Sequence, residues 1–242
     1  MTTGAALGPV IIARRYQGPP DSANGGYACG VVAAAIDGPA EITLRAPPPL
    51  ETPLVLATSA SGLVTLRDGD TVVAEGRPAS LDLEVVAPVD FAQAVAAAPS
   101  YPGFTWHPFP SCFVCGPDRA EGDGLRIFPG AVPGRGIAAA PWTPHPSVVG
   151  DDDRVRPECM WAALDCPSYF GMQVVSPQRT PALLGRLTAR IHRAPRVGEP
   201  CIAAGWLLER DGRKIHTASA IFASDGEILG IARATWIELA RP

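Results

Sequence analysis

The chain contains a single lysine, Lys214, beside 19 arginines, and only 18% of its 242 residues are charged. A formal net charge of −4 gives it no global positive field to hold a phosphate backbone, which counts against a general nucleic-acid binder. The bias from lysine to arginine fits GC-rich coding, so no arginine is singled out for its type. Long apolar runs are missing too. The longest small and apolar stretch, Gly25 to Ile36, falls short of the roughly 20 residues that a membrane helix needs. Arg14 and Arg15 follow the apolar Pro9-Val10-Ile11-Ile12, the wrong order for a secretory signal, so a soluble cytoplasmic protein is expected. No serine lies in a G-x-S-x-G elbow, and His107, His145, His192 and His216 have no nucleophile partner in the pattern.

The six cysteines are too thinly spread for the disulfide framework of a small secreted domain, and reduced thiols are expected. Cys112-Phe-Val-Cys115 has the spacing of half a zinc knuckle, yet no second pair follows and the histidines stand at no motif spacing. It therefore reads as a structural turn, with no metal and no cofactor expected. Asp151-Asp-Asp153 lacks the glycine of a calcium loop and reads as an exposed acidic loop.

What is present is a core. Hydrophobic residues make up 47% of the chain, enough to exclude a disordered or collagen-like polymer, and the length allows one large domain or two of roughly 120 residues. Proline and alanine dominate from Ala87 to Pro110, between two stretches that repeat. Glu41-Ile-Thr-Leu-Arg-Ala-Pro47 is similar to Leu187-Thr-Ala-Arg-Ile-His-Arg-Ala-Pro195, Leu50-Glu-Thr-Pro53 to Val197-Gly-Glu-Pro200, and Leu66-Arg-Asp-Gly69 to Glu209-Arg-Asp-Gly212. The offset is 148 residues at Ala-Pro and 143 at Arg-Asp-Gly, the period of a duplicated domain. The division expected is an N-terminal domain at 1–95, a linker at 96–110 and a C-terminal domain at 111–242.

Each half places a helix ahead of strands. Gly25 to Ile36 is apolar all round with Asn24 as a candidate N-cap, so a short buried helix is expected. Its counterpart opens at Pro157 and runs through Met160, Trp161 and Leu164 until Pro167 ends or kinks it. The period then becomes two: Ile42 and Leu44 alternate with Glu41, Thr43 and Arg45, and Leu187, Ala189 and Ile191 with Arg186, Thr188 and Arg190. Arg67-Asp-Gly69, Arg210-Asp-Gly212 and Ser224-Asp-Gly226 supply hairpin turns. The fold class is α+β, two antiparallel sheets each wrapping a central helix.

That pattern, with Cys112-Phe-Val-Cys-Gly-Pro117 ahead of Gly124-Leu-Arg-Ile-Phe128, resembles the hotdog-fold acyl-CoA thioesterases of the phenylacetate-degradation and 4-hydroxybenzoyl-CoA types. Trp161-Ala-Ala-Leu-Asp165 is similar to the family's central helix, whose usual form is His-Gly-Gly, six residues, then a catalytic Asp or Glu. Asn24-Gly25-Gly26 is similar to the start of the same helix, so the resemblance spans about residues 9–86 and 107–239. It implies a double hotdog in which one chain forms the pseudo-dimer that relatives make from two. The departures are specific. Counting seven residues on from Gly26 lands on Ala33, whereas seven before Asp165 stands Glu158 after Pro157. Each half keeps one component of the site and lacks the other.

Thioester hydrolysis needs an activated attacking group and donors for the oxyanion. Free N–H groups at a helix start supply donors, and glycines let the substrate approach the backbone. Gly25, Gly26 and Tyr27 are candidates for this role, Asn24 for cap or extra donor, and Asp165 for general base or direct nucleophile. Read bottom-up, Asp165 is equally a carboxylate paired with an arginine or closing a helix, and Gly25-Gly26 a tight packing contact. Glu158 suits the first turn of any helix; it takes over from Asp165 if it faces the first-half helix start more closely. Trp161, Tyr169 and Phe170 are candidates for an acyl tunnel or for plain core. The implied substrate is an acyl-CoA or acyl-carrier-protein thioester, and the chain could self-associate through sheet edges or faces. The rival reading is a non-catalytic protein that binds an acyl thioester or lipophilic small molecule at a degenerate site.

Overall fold

A computed structural model describes residues 5–176, 179 and 181–239. Eleven strands run β1 (Ala5–Ile11), β2 (Ala40–Leu44), β3 (Pro53–Thr58), β4 (Val64–Asp68), β5 (Thr71–Pro78), β6 (Gly130–Val132), β7 (Ile137–Trp142), β8 (Ala182–Ile191), β9 (Cys201–Asp211), β10 (Lys214–Ala223) and β11 (Ile228–Glu238). Helix α1 (Gly25–Ala33) follows β1, α2 (Phe91–Ala97) follows β5, and α3 (Pro157–Gln173) follows β7. The two sheets expected from the repeat are one. Strand order is β1-β3-β4-β5-β2-β8-β11-β10-β9-β7-β6, continuous because β2 and β8 pair antiparallel with Ile42 opposite Leu187. The repeated strands therefore bond to each other, and a pair of edges that would have needed protection is removed.

The turn equivalence drawn from the repeated Arg-Asp-Gly does not hold. Gly69 and Gly212 both adopt positive φ in hairpins, but the first hairpin joins β4 to β5 and the second joins β9 to β10. In strand order β5 matches β11, so the counterpart of Arg67-Asp-Gly69 is Ser224-Asp-Gly226 between β10 and β11. A common turn tripeptide, chosen for its glycine, recurs at non-equivalent corners.

Asn24 caps α1 as its residue type suggests: Oδ1 accepts the Tyr27 N–H at 2.9 Å. In α3, Pro157 takes the first turn, but Pro167 does not end the helix, which continues to Gln173. Packing overrides the proline. Near it, Ser168 Oγ donates to the Asp165 carbonyl at 2.7 Å and Ser219 Oγ to the Leu164 carbonyl at 2.5 Å. The helix lies directly on β9, where a Cβ at Gly205 would meet Pro167 O at 1.9 Å and one at Gly171 the Gly205 backbone at 2.3 Å.

Both central helices sit on one face of the sheet and touch each other along glycines. A Cβ at Gly26 would lie 2.4 Å from Asp165 Cβ, and one at Gly30 2.5 Å from Glu158 Cα, so the helices run antiparallel. On the other face, residues between 81 and 97 pack as a layer. Leu81, Val89, Ala94 and Ala97 cover Ile202, Trp206 and Phe222, and α2 runs across the 95/96 boundary. This second covering explains why β9 and β10 read as near-continuous apolar runs instead of alternating. No described helix is long and apolar enough to cross a membrane.

Candidate active site

The N-terminus of α1 meets the middle of α3 at Asp165, which is 2% exposed. The contact is close because Gly26 has no side chain: its N–H donates to Asp165 Oδ2 at 2.9 Å. Asn24 Nδ2 donates to the same oxygen at 3.0 Å while its Oδ1 caps the helix, so one side chain fixes both the helix start and the carboxylate. Asp165 Oδ1 has no hydrogen-bond partner among the described residues. Burial pushes this carboxyl up to about 7, and the Cys112 sulfur adds to the rise, against the opposing pull of the Gly26 and Asn24 donors.

Oδ1 belongs to a carboxyl that lines a cavity of about 390 Å³, whose walls include Leu44, Tyr169, Phe170, Leu184 and Trp236. Gly25 lines the same cavity, and its N–H, at the first helical position, has no acceptor among the described residues. A carboxyl with one unpaired buried oxygen and a helix-start residue whose amide is unpaired among the described residues thus line one apolar chamber, within the size range of small-molecule sites.

The residues singled out in the sequence divide into two groups. Asn24, Gly25, Gly26, Asp165 and Tyr169 come together at the cavity or directly behind it. Glu158, Tyr27 and Trp161 do not. Glu158 stands two helical turns away against Gly30, paired with Arg156 at 3.3 Å and 24% exposed, so it does not face the start of α1. Tyr27 stacks on Tyr16 with ring centroids 3.8 Å apart and packs edge-on to Phe113, away from the cavity walls. Trp161 fills the helix crossing, its Cβ and carbonyl forming the surfaces that Gly30 and Gly26 approach. Tyr27 and Trp161 are core, as large rings beside a central helix commonly are.

Sequence reasoning missed the sulfur lining. Cys112, Cys115 and Cys166 are buried with their Sγ atoms all within 4.8 Å of one another, and Cys112 Sγ lies 3.8 Å from Cys166 Sγ. His107 Nε2 is 3.3 Å from Cys115 Sγ, and Asn24 Nδ2 is 3.8 Å from both Cys112 Sγ and Cys166 Sγ. Hydrogen bonds from the neighbouring thiols and from the amides of Val114 and Cys115 hold Cys112 well below the ordinary thiol range in spite of its burial. The visible signal was the Cys112-x-x-Cys115 spacing. The third member lies 51 residues beyond Cys115, beside Asp165, where only the fold could bring it.

No family model matches the chain, and no curated protein matches it by sequence. Solved structures do. A protein from Lactobacillus plantarum assigned as an oleoyl thioesterase shares 10% identity at a TM-score of 0.59, over 98% of each chain. The TesB protein of Mycobacterium avium subspecies paratuberculosis shares 12% at 0.57, over 93% of this chain and 91% of its own. A hotdog-fold protein of unknown function from Alicyclobacillus acidocaldarius shares 10% at 0.53, over 97% and 92%. At such identities the likeness shows the fold.

Proposed function

The chain is a double hotdog in one polypeptide, and we propose that it hydrolyses an acyl thioester at one site, where the start of α1 faces Asp165. The observation that carries this reading is the pair of unsatisfied groups on one apolar cavity, Asp165 Oδ1 and the Gly25 N–H. The acyl group lies among Leu184, Tyr169 and Trp236, and the Gly25 N–H, at the positive end of α1, donates to the thioester oxygen as charge develops on it. Asp165 Oδ1 takes the proton of an attacking water. The tetrahedral intermediate then collapses with release of the thiolate, which is protonated to the free thiol. Oδ2, held by Gly26 and Asn24, fixes the direction of Oδ1, and a carboxyl near 7 is matched to proton transfer at neutral pH.

Coenzyme A and a carrier-protein pantetheine present the same thioester, so both are substrates to test. The experiment is thiol release from short, long and aromatic acyl-CoAs and from acyl-carrier protein, with wild type and Asp165→Asn side by side. At least 100-fold loss in a folded Asn variant is expected. Wild-type rates in that variant would remove Asp165 from the chemistry. One observation favours the non-catalytic alternative: the Gly26 N–H is already taken by Asp165 and so cannot also meet a substrate oxygen. If wild type releases no thiol while unhydrolysed acyl-CoA raises its melting temperature, the protein is a binder.

A further inference from the structure

We propose that Cys112, Cys115 and Cys166 bind one zinc ion at the wall of the cavity, through three thiolates, with a fourth coordination position facing the cavity. Zinc–sulfur bonds of about 2.3 Å in a tetrahedron place sulfurs about 3.8 Å apart. Cys112 and Cys166 stand at 3.8 Å and the third sulfur lies within 4.8 Å of both, so small side-chain rotations complete the set. The surroundings are built for charged sulfur. Asn24 Nδ2 points at Cys112 and Cys166, and His107 Nε2 points at Cys115. Neutral thiols are weak acceptors that need no such donors, whereas metal-bound thiolates are commonly held by outer hydrogen bonds.

His107 is one of those outer donors and not the fourth ligand. Its Nδ1 accepts the Phe109 N–H at 2.9 Å, which puts the imidazole proton on Nε2, where it donates to the Cys115 sulfur. A histidine bound to metal through Nε2 needs that proton on Nδ1. His107, the three cysteines and Asp165 all line the cavity, so the remaining position is open to water or to a thiol from the ligand. Three protein ligands with one open position is the pattern of a zinc that can meet ligand, and loading releases the protons of whichever thiols are still protonated. The ion would also tie the 107–128 segment to α3 at the residue beside Asp165.

The test is metal content and thiol count on the whole chain, independent of any turnover. Protein made in zinc-supplemented medium and freed of loose metal should carry one zinc per chain by mass spectrometry. Cobalt exchanged into the wild type should show thiolate-to-cobalt charge-transfer absorption. Cys115→Ser should lose the ion, while Cys201→Ser, whose sulfur contacts the Glu199 carbonyl elsewhere, should keep it. If Cys115→Ser does not fold, wild-type zinc content and the cobalt spectrum decide. Six reactive thiols on denaturation with no metal would overturn the proposal, as would four thiols and a disulfide. Copper or iron at one per chain would overturn the assignment to zinc.

Discussion

The contact between α1 and α3 has two ends, and they have diverged. At one end Gly26 approaches Asp165 within hydrogen-bond distance, Asn24 holds both, and Gly25, its amide unpaired among the described residues, lines a cavity. At the other, where the duplicated motif would put a second site, Glu158 fills the position equivalent to Gly26 and Ala33 the position equivalent to Asp165. Glu158 is well suited to a helix start, since its charge meets the dipole and Arg156 lies 3.3 Å away, but its side chain occupies the approach that a glycine would leave open. Identical chains in a dimer must carry both components on every copy. A fused chain is released from that constraint, and here one end keeps the glycine–carboxylate contact while the other has neither component.

The comparison can be broken most severely by adding one methyl group at each end in turn. In Gly26→Ala the Cβ would lie 2.4 Å from Asp165 Cβ and 2.8 Å from Trp161 O; in Gly30→Ala it would lie 2.5 Å from Glu158 Cα. Both variants should lose about 1–3 kcal/mol in chemical denaturation, the usual range for overpacking. Only Gly26→Ala should also lose turnover or ligand affinity, by more than tenfold, because only there does the contact hold Asp165. Equal activity losses would mean that the glycines matter for helix packing alone.

A pH series sharpens the same contrast. Asp165 moves from an ordinary 3.8 to about 7 on folding, because burial disfavours its charge. As a base it must be ionised, so kcat/KM should rise with pH and level off above about pH 7. Between about pH 4 and 7 the folded chain holds a proton that the unfolded chain has released, so stability falls as pH rises through that window and is flat above it. Melting curves of Asp165→Asn should lack this fall; if they retain it, the proton resides elsewhere. The smallest effect is expected at the other end. Glu158→Gln removes a partly exposed ion pair and a dipole contact, and should change stability by no more than about 1 kcal/mol with turnover unaltered. A tenfold fall in turnover would restore Glu158 to the mechanism.

Much of the site could be reached from local patterns. Asn24 before two glycines marks a helix start because its short side chain accepts from the backbone three residues on, whereas Asp165 is singled out only by the resemblance of its helix to the central helix of the hotdog thioesterases. Three neighbouring candidates could not be placed relative to the cavity from sequence, for one shared reason. Tyr27, Trp161 and Glu158 lie on α1 and α3, but the direction each side chain takes depends on how antiparallel helices seat, which glycines at 26 and 30 decide. Pro167 misled in the same way: a rule for isolated helices gave way to packing against Gly205.

The sequence by itself determined the α+β class, the Asn24 cap and the hairpin corners, since each depends on residues within a few positions of one another, and the duplication, since its pattern recurs at a long offset. Only the tertiary structure decided that β2 and β8 join the halves into one sheet. It alone brought Asn24 to Asp165 across 141 residues and Cys112 to Cys166 across 54. Those pairings carry no spacing signal, because the packing of two helices and a sheet, and not the chain between the partners, sets the distance.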